Sequence, residues 1–184
     1  MKICYVTGNK LKVDLANRIF KDLYIEIIQE NIETPEIQSL DCEEVAKYSA
    51  KYAADLLGKP VFKNDSGIVI PALGGFPGPL SKYAESTIGA DGWIRLMDGL
   101  DRKCHWIEVL AYCEPGKEPV SFTSISYGRI ADSVHDGEGY PYDKIYIPDG
   151  DTRTFSEMSY DEHLSYYSDE AYIKLYEYLK ERNK

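Results

Sequence analysis

A chain of 184 residues, 43% hydrophobic and 28% charged, can bury a full core and reads as one domain over 1–184. Its formal net charge of −10 and pI near 4.8 exclude a surface that tracks a nucleic-acid backbone, which needs clustered Lys and Arg. No apolar run reaches the length of a membrane span, and Cys4, Cys42, Cys104 and Cys113 form no zinc spacing with His105, His135 or His163. The cysteines therefore read as free, mostly buried thiols, and any small anionic ligand would need a local basic pocket or a divalent cation.

Ile3 to Val6 reads as a buried first strand. The start lacks the long apolar region and cleavage site of a signal peptide, which predicts a cytoplasmic location. Thr7 to Lys12 is a turn opening a helix over Val13 to Phe20. A helix N-terminus after a strand points unpaired N–H groups and a positive dipole end at the turn, where Asn9 and Lys12 can add donors for a phosphate. The segment is not a Walker loop. Taken alone, the segment is better explained as a plain helix cap with a solvated lysine.

Leu23 to Gln29 alternates as a second strand, and residues 31–40 form an extended polar connector that carries Glu36 after Pro35. Asp41 is suited to cap a helix running to about Leu57, with Glu43 and Glu44 in its first turn and Gly58 and Pro60 ending it. The alanines at 46, 50, 53 and 54 predict close packing on a sheet.

Residues 62–83 are the stretch around which the chain is organised. Val61-Phe62, a turn at Asn64 to Gly67 and the run Ile68-Val69-Ile70 predict strand, acidic turn, strand, with Asp65 able to hold a metal or a water. The Gly/Pro-rich segment that follows predicts a rigid loop carrying Ser81 and Lys82 beside Asp65. A surface hairpin with a proline-rich connector is the bland alternative, but long ordered loops in compact domains tend to carry function.

Gly89 to Leu100 predicts a short helix, and Cys104–Cys113 and Val120–Ile130 two long strands joined by a turn at Glu114 to Lys117. The strand pattern extends over Ile130 to Val134, residues 137–143 form a loop, and Lys144 to Ile147 an edge strand. A last helix spans about Ser168 to Glu181. Rings such as Tyr140, Tyr142, Tyr166 and Tyr167 can stack a nucleobase, although tyrosines at such spacing are more often core or surface.

Five segments, in order, resemble the inosine triphosphate pyrophosphatases. Thr7-Gly8-Asn9-Lys10-Leu11-Lys12 is similar to that family's Thr/Ser-x-Asn-x-x-Lys turn, and Pro35-Glu36-Ile37-Gln38 to its metal-glutamate segment. Asp65-Ser66-Gly67 with Ala72 to Pro79 resembles its most specific stretch, while Gly139 to Asp143 and Ser156-Glu157-Met158-Ser159 correspond to two later motifs. The resemblance implies an α/β fold, an elongated mixed central β-sheet flanked by helices, two lobes with a central cleft, and a homodimer. It implies hydrolysis of a non-standard purine nucleoside triphosphate to monophosphate and pyrophosphate, with Mg²⁺, or Mn²⁺ in its place.

By the same resemblance Glu36 and Asp65 hold the metal, and Asp65 and Lys12 are catalytic. Thr7, Asn9, Lys12, Ser66, Gly67, Ser81 and Lys82 bind phosphates; Tyr140, Asp143, His163 and Asp169 stand at the base. No nucleic-acid or membrane partner is implied.

Departures from the family pattern bear on activity and substrate. Asn64 stands where the family has an acid, and the helix lysine falls at Ser49 unless Lys47 or Lys51 replaces it. Pro141 and Lys144 replace neighbours of Tyr142-Asp143. His163-Leu164 and Tyr167-Ser168-Asp169 replace the Lys-Asn and Ser-His-Arg cluster that reads a 6-oxo purine. Asp169 in place of an arginine exchanges donor for acceptor, which predicts a preference for an amino-bearing base or a tolerant pocket; a role as helix N-cap is the competing reading. A nucleotide-binding paralogue with weak or no turnover is the alternative function.

Overall fold

The computed structural model describes residues 2–21, 23–35 and 37–182. Glu36, an expected metal ligand, lies outside the described residues. The elements are β1 (Lys2–Val6), α1 (Lys10–Lys21), β2 (Glu26–Glu30), α2 (Cys42–Leu57), β3 (Val61–Val69), β4 (Pro77–Gly78), α3 (Ser81–Leu96), β5 (Lys103–Cys113), β6 (Val120–Ile130), β7 (Tyr146–Pro148), α4 (Tyr160–Ser165) and α5 (Glu170–Arg182). This is an α/β fold with a mixed sheet: β1 runs parallel to β2 and β3, whereas β4 on β3 and β7 on β6 are antiparallel. The strand order is β2-β1-β3-β5-β6-β7, with β4 on β3 off this path, so β7 is an edge strand as expected.

The chain divides into two compact units. The first comprises Met1–Asp65, Glu108–Ser124 and Asp169–Lys184, the second Ser66–Ile107 and Ile125–Ser168, with β3, β5 and β6 passing through both. In the first unit Tyr5 stacks on Phe62 with centroids 4.1 Å apart, and Phe20 meets Phe62 and Tyr172 edge-on. The alanine face of α2 is buried as its spacing predicts. Asp41 caps this helix by accepting from the Glu43 N–H at 2.8 Å, worth about 1 kcal/mol, and Gly58 closes it in the left-handed conformation. The core of the second unit gathers Ile68, Ile70, Trp93, Met97, Ile130, Tyr142, Tyr146 and Phe155.

Several expectations are corrected. Asn64 to Gly67 is not a turn: β3 runs unbroken through it. Gly67 is required there by proximity, since a Cβ at this position would lie 2.0 Å from the Gly78 carbonyl oxygen on β4. The Gly/Pro segment is not wholly loop, because Pro71–Leu73 is a 3₁₀ turn and Pro77–Gly78 pairs with β3. α3 begins at Ser81, eight residues ahead of the expected Gly89, which instead marks its kink with φ 67°. Residues 131–134 leave the strand, and β2 starts at Glu26 after a turn in which Tyr24 takes φ 56°. α4 was not foreseen, although Ser159 and Glu162 form a capping box at its start.

Candidate active site

In the first unit the turn after β1 is built by its own side chains. The Asn9 N–H donates to Thr7 Oγ1 at 3.1 Å, and Asn9 Oδ1 accepts from the Leu11 N–H at 2.9 Å and the Lys12 N–H at 3.4 Å. Asn9 therefore acts as the N-cap of α1, with its carbonyl accepting from Val13. Thr7, Asn9 and Lys12 share this turn, with Thr7 and Lys12 half-buried and Asn9 exposed.

The half-buried Asp65 on β3 belongs to the same unit. The buried Cys42 thiol, at the start of α2, hydrogen-bonds Asp65, and the Lys12 ammonium acts on the same thiol through its charge. Burial first, then the Asp65 carboxylate, holds that thiol well above its ordinary range. The expected acid thus has beside it a thiol that is kept protonated.

Asn64, the residue before Asp65 on β3, joins a separate polar network. The Tyr5 hydroxyl donates to Asn64 Oδ1 at 2.8 Å, Asn64 Nδ2 donates to Glu108 Oε1 at 2.7 Å, and the Tyr172 hydroxyl donates to the same Oε1 at 3.1 Å. Burial raises the Glu108 carboxyl, and Lys12 and the two donors pull it partly back. Glu108 and Cys42 were not singled out from the sequence. The available signal for Glu108 was one charged residue within the apolar run of β5.

The second unit holds most of the remaining candidates. Ser66 and Gly67 continue β3. The buried Ser81 hydroxyl accepts from the Ile68 N–H at 2.8 Å and donates to the Gly78 carbonyl at 2.6 Å, so it pins β4 to β3, while Lys82 is exposed. In the 137–144 loop the Tyr140 N–H donates to Asp143 Oδ2 at 2.8 Å, and the Asp143 N–H returns a bond to the Tyr140 carbonyl at 2.9 Å. This brace leaves the Tyr140 ring 68% exposed. Burial raises the Asp143 carboxyl, and it also raises Glu85, which accepts from the Tyr142 N–H at 3.1 Å.

His163 is only 8% exposed and belongs to an aromatic cluster, stacked on Phe155 and with Nε2 3.2 Å from the Tyr167 hydroxyl. Asp169, in the first unit, is exposed at the start of α5, where its carbonyl accepts from Ile173 at 3.0 Å, the N-cap position. Ser49 is buried against the Pro35 carbonyl. Of the lysines considered as its replacement, Lys47 is paired with Glu43, and Lys51 with Glu118 at 2.9 Å.

The sequence pattern of the Ham1 family matches residues 3–168. The chain belongs to the Ham1 family. A dITP/XTP pyrophosphatase from Methanopyrus kandleri is 45% identical over 163 residues, 88% of this chain and 87% of that protein. One from Methanothermobacter marburgensis is 38% identical over 86% of this chain and 85% of its own length. Among solved structures, the Staphylococcus aureus Ham1 protein superposes with a TM-score of 0.77 at 26% identity, covering 99% of this chain and all of that one. The Ham1 match ends one residue before Asp169, so Asp169 and α5 lie beyond it.

Among the described residues no group of three or more His, Cys, Asp or Glu is arranged to hold a metal ion. Of the expected metal ligands the described residues include Asp65, which offers a carboxylate oxygen, and the Cys42 sulfur beside it is held as a thiol. Hard oxygen donors without a thiolate suit Mg²⁺ or Mn²⁺, which take one or two protein carboxylates and complete their shell with phosphate and water.

Proposed function

We propose that this Ham1 protein is a Mg²⁺-dependent nucleoside triphosphate pyrophosphatase that clears non-standard purine nucleotides from the pool. The observation that carries the reading is the turn after β1, where Asn9 caps α1 and shares the helix N-terminus with Thr7 and Lys12, in the unit that also holds the half-buried Asp65. The names of the relatives, dITP/XTP pyrophosphatases, support it.

Asp65, with Glu36 as its expected partner from the sequence, would hold a divalent ion, which would supply charge neutralisation for the phosphate chain. Lys12 and the first N–H groups of α1 bind phosphate oxygens, with Thr7, Asn9, Ser66, Gly67 and Lys82 as further phosphate-binding candidates. Asp65 takes a proton from water as the water oxygen bonds to the α-phosphorus. The α–β bridging P–O bond breaks, and the leaving group departs as pyrophosphate. No covalent enzyme intermediate is needed, because positioning and charge supply the rate. Tyr140, exposed and braced by Asp143, is the candidate base-stacking ring.

For the base, the names of the relatives support a 6-oxo purine, while Asp169, the exposed N-cap of α5, is a candidate acceptor for an amino-bearing one. A homodimer and a cytoplasmic setting belong to the same reading, and four free buried thiols fit a reducing compartment. A panel of standard and modified nucleoside triphosphates, assayed for pyrophosphate with and without Mg²⁺, tests it. Orthophosphate as the product, or no release from any nucleotide, would overturn the assignment.

A further inference from the structure

The segment Ser156-Glu157-Met158-Ser159 carries one of the five sequence resemblances, and the mechanism gives it no role. In the second unit it follows Thr154 and Phe155, both buried, with the Phe155 ring centroid 4.9 Å from that of Tyr146 and 4.0 Å from that of His163. A segment anchored in the core in this way is a fixed platform. On it rests the start of the loop that carries Tyr140.

Three contacts join the two. His135 Nδ1 lies 2.9 Å from Glu157 Oε2, the Ser156 hydroxyl donates to the Asp136 carbonyl at 3.1 Å, and Gly137 passes so close to Ser156 that a Cβ there would lie 2.2 Å from its carbonyl oxygen. With its proton on Nδ1, the imidazole donates to the carboxylate. Glu157 is itself fixed, because Oε2 also accepts from the Thr154 N–H at 2.7 Å and from the Thr154 hydroxyl at 3.0 Å. The far side of the loop is held separately: the Tyr142 N–H donates to Glu85 at 3.1 Å, and the His135 N–H closes the base of the loop on the Lys144 carbonyl at 2.9 Å. Tyr140 lies between these attachments, its backbone braced by Asp143 and its ring exposed. A ring whose backbone is already fixed loses less conformational freedom when a base stacks on it.

We propose that Glu157, His135 and Ser156 are positioning residues for the base end of the substrate: they clamp residues 135–137 so that the Tyr140 ring is held ready to stack. They act through Tyr140, so their effect falls on nucleotide binding and not on the chemical step. The proposal rests on the reading of Tyr140 as the base-stacking ring, and it can fail while that reading stands.

The test is steady-state pyrophosphate release from inosine triphosphate by the full chain, with inorganic tripolyphosphate, which has no base, as a competing inhibitor. His135→Leu removes the donor to Glu157 and is expected to raise KM by about 10-fold, the worth of one hydrogen bond to a charged group, with kcat within about 2-fold of wild type. Inhibition by tripolyphosphate should not move. His135→Asn carries an N–H donor one bond from Cγ, as the histidine Nδ1 is, and should return KM to the wild-type range. Wild-type KM in His135→Leu, an equal weakening of tripolyphosphate, or no rescue by His135→Asn overturns the proposal. Tyr140→Ala separates the two readings. An unchanged KM in that variant overturns base stacking by Tyr140 and the proposal with it, whereas a raised KM there beside a wild-type KM in His135→Leu overturns the proposal alone. A wild type that releases no pyrophosphate overturns the proposed function and the clamp together. Should His135→Leu fail to fold, Ser156→Ala decides in its place: an unchanged KM overturns the assignment.

Discussion

The His163 imidazole lies on the Phe155 ring, with centroids 4.0 Å apart and 27° between the planes. Burial lowers its pKa from 6.5 to about 4, so the folded state holds it neutral where an unfolded chain would protonate it. A depressed histidine contributes stability that is complete above the unfolded pKa and is lost as pH falls towards the folded one. Between pH 6.5 and about 4 the native state should lose about 3 kcal/mol from this group. The raised carboxyls of Glu85, Asp143 and Glu108 act with the opposite sign as acid is added. The difference between wild type and His163→Phe isolates the histidine: the wild-type urea midpoint should fall relative to that of the variant as pH drops from 6.5 towards about 4.

Asp65→Asn removes the carboxylate that is proposed both to face the metal and to take the proton from water, while keeping the shape of the side chain. Pyrophosphate release is expected to fall by about 10²- to 10³-fold with the circular dichroism spectrum unchanged. Full activity in this variant would remove Asp65 from the chemistry.

At Ser81 the expected effect is on stability. Ser81→Ala leaves the buried Ile68 N–H and Gly78 carbonyl without the hydroxyl that joins them, at a cost of about 2 kcal/mol. Gly67→Ala should be worse, because its methyl carbon would sit 2.0 Å from a backbone oxygen that no rotamer change can move. Guanidinium denaturation of both variants checks the order; a silent Gly67→Ala would mean that β4 does not pack on β3 as described.

Asp169→Asn separates capping from base recognition. Asparagine caps a helix about as well as aspartate, so stability should hold within a few tenths of a kcal/mol, roughly. The amide, however, adds a donor where there was only an acceptor. The ratio of pyrophosphate release from inosine to adenosine triphosphate should rise by about 10-fold, the worth of one unmatched polar contact. An unchanged ratio would leave Asp169 as a cap alone.

The sequence by itself determined β1, the capped helix α2, the long strands β5 and β6, and the family. Asp41, Gly58 and the alternating strand residues act on neighbours within a few positions, and the motifs keep their order along the chain. Even the lone charge of Glu108 could be read there, though its meaning could not. Only the tertiary structure decided that Asn64 to Gly67 continues a strand, that the Ser81 hydroxyl serves the backbone, that His163 lies on Phe155, and that Glu108 from β5 meets Asn64 from β3. Each of these depends on which distant backbone or side chain arrives opposite. A turn-forming tripeptide such as Asp-Ser-Gly extends once a neighbouring strand takes up its hydrogen bonds, and the use of a hydroxyl or carboxylate is set by the partner that sheet order brings to it.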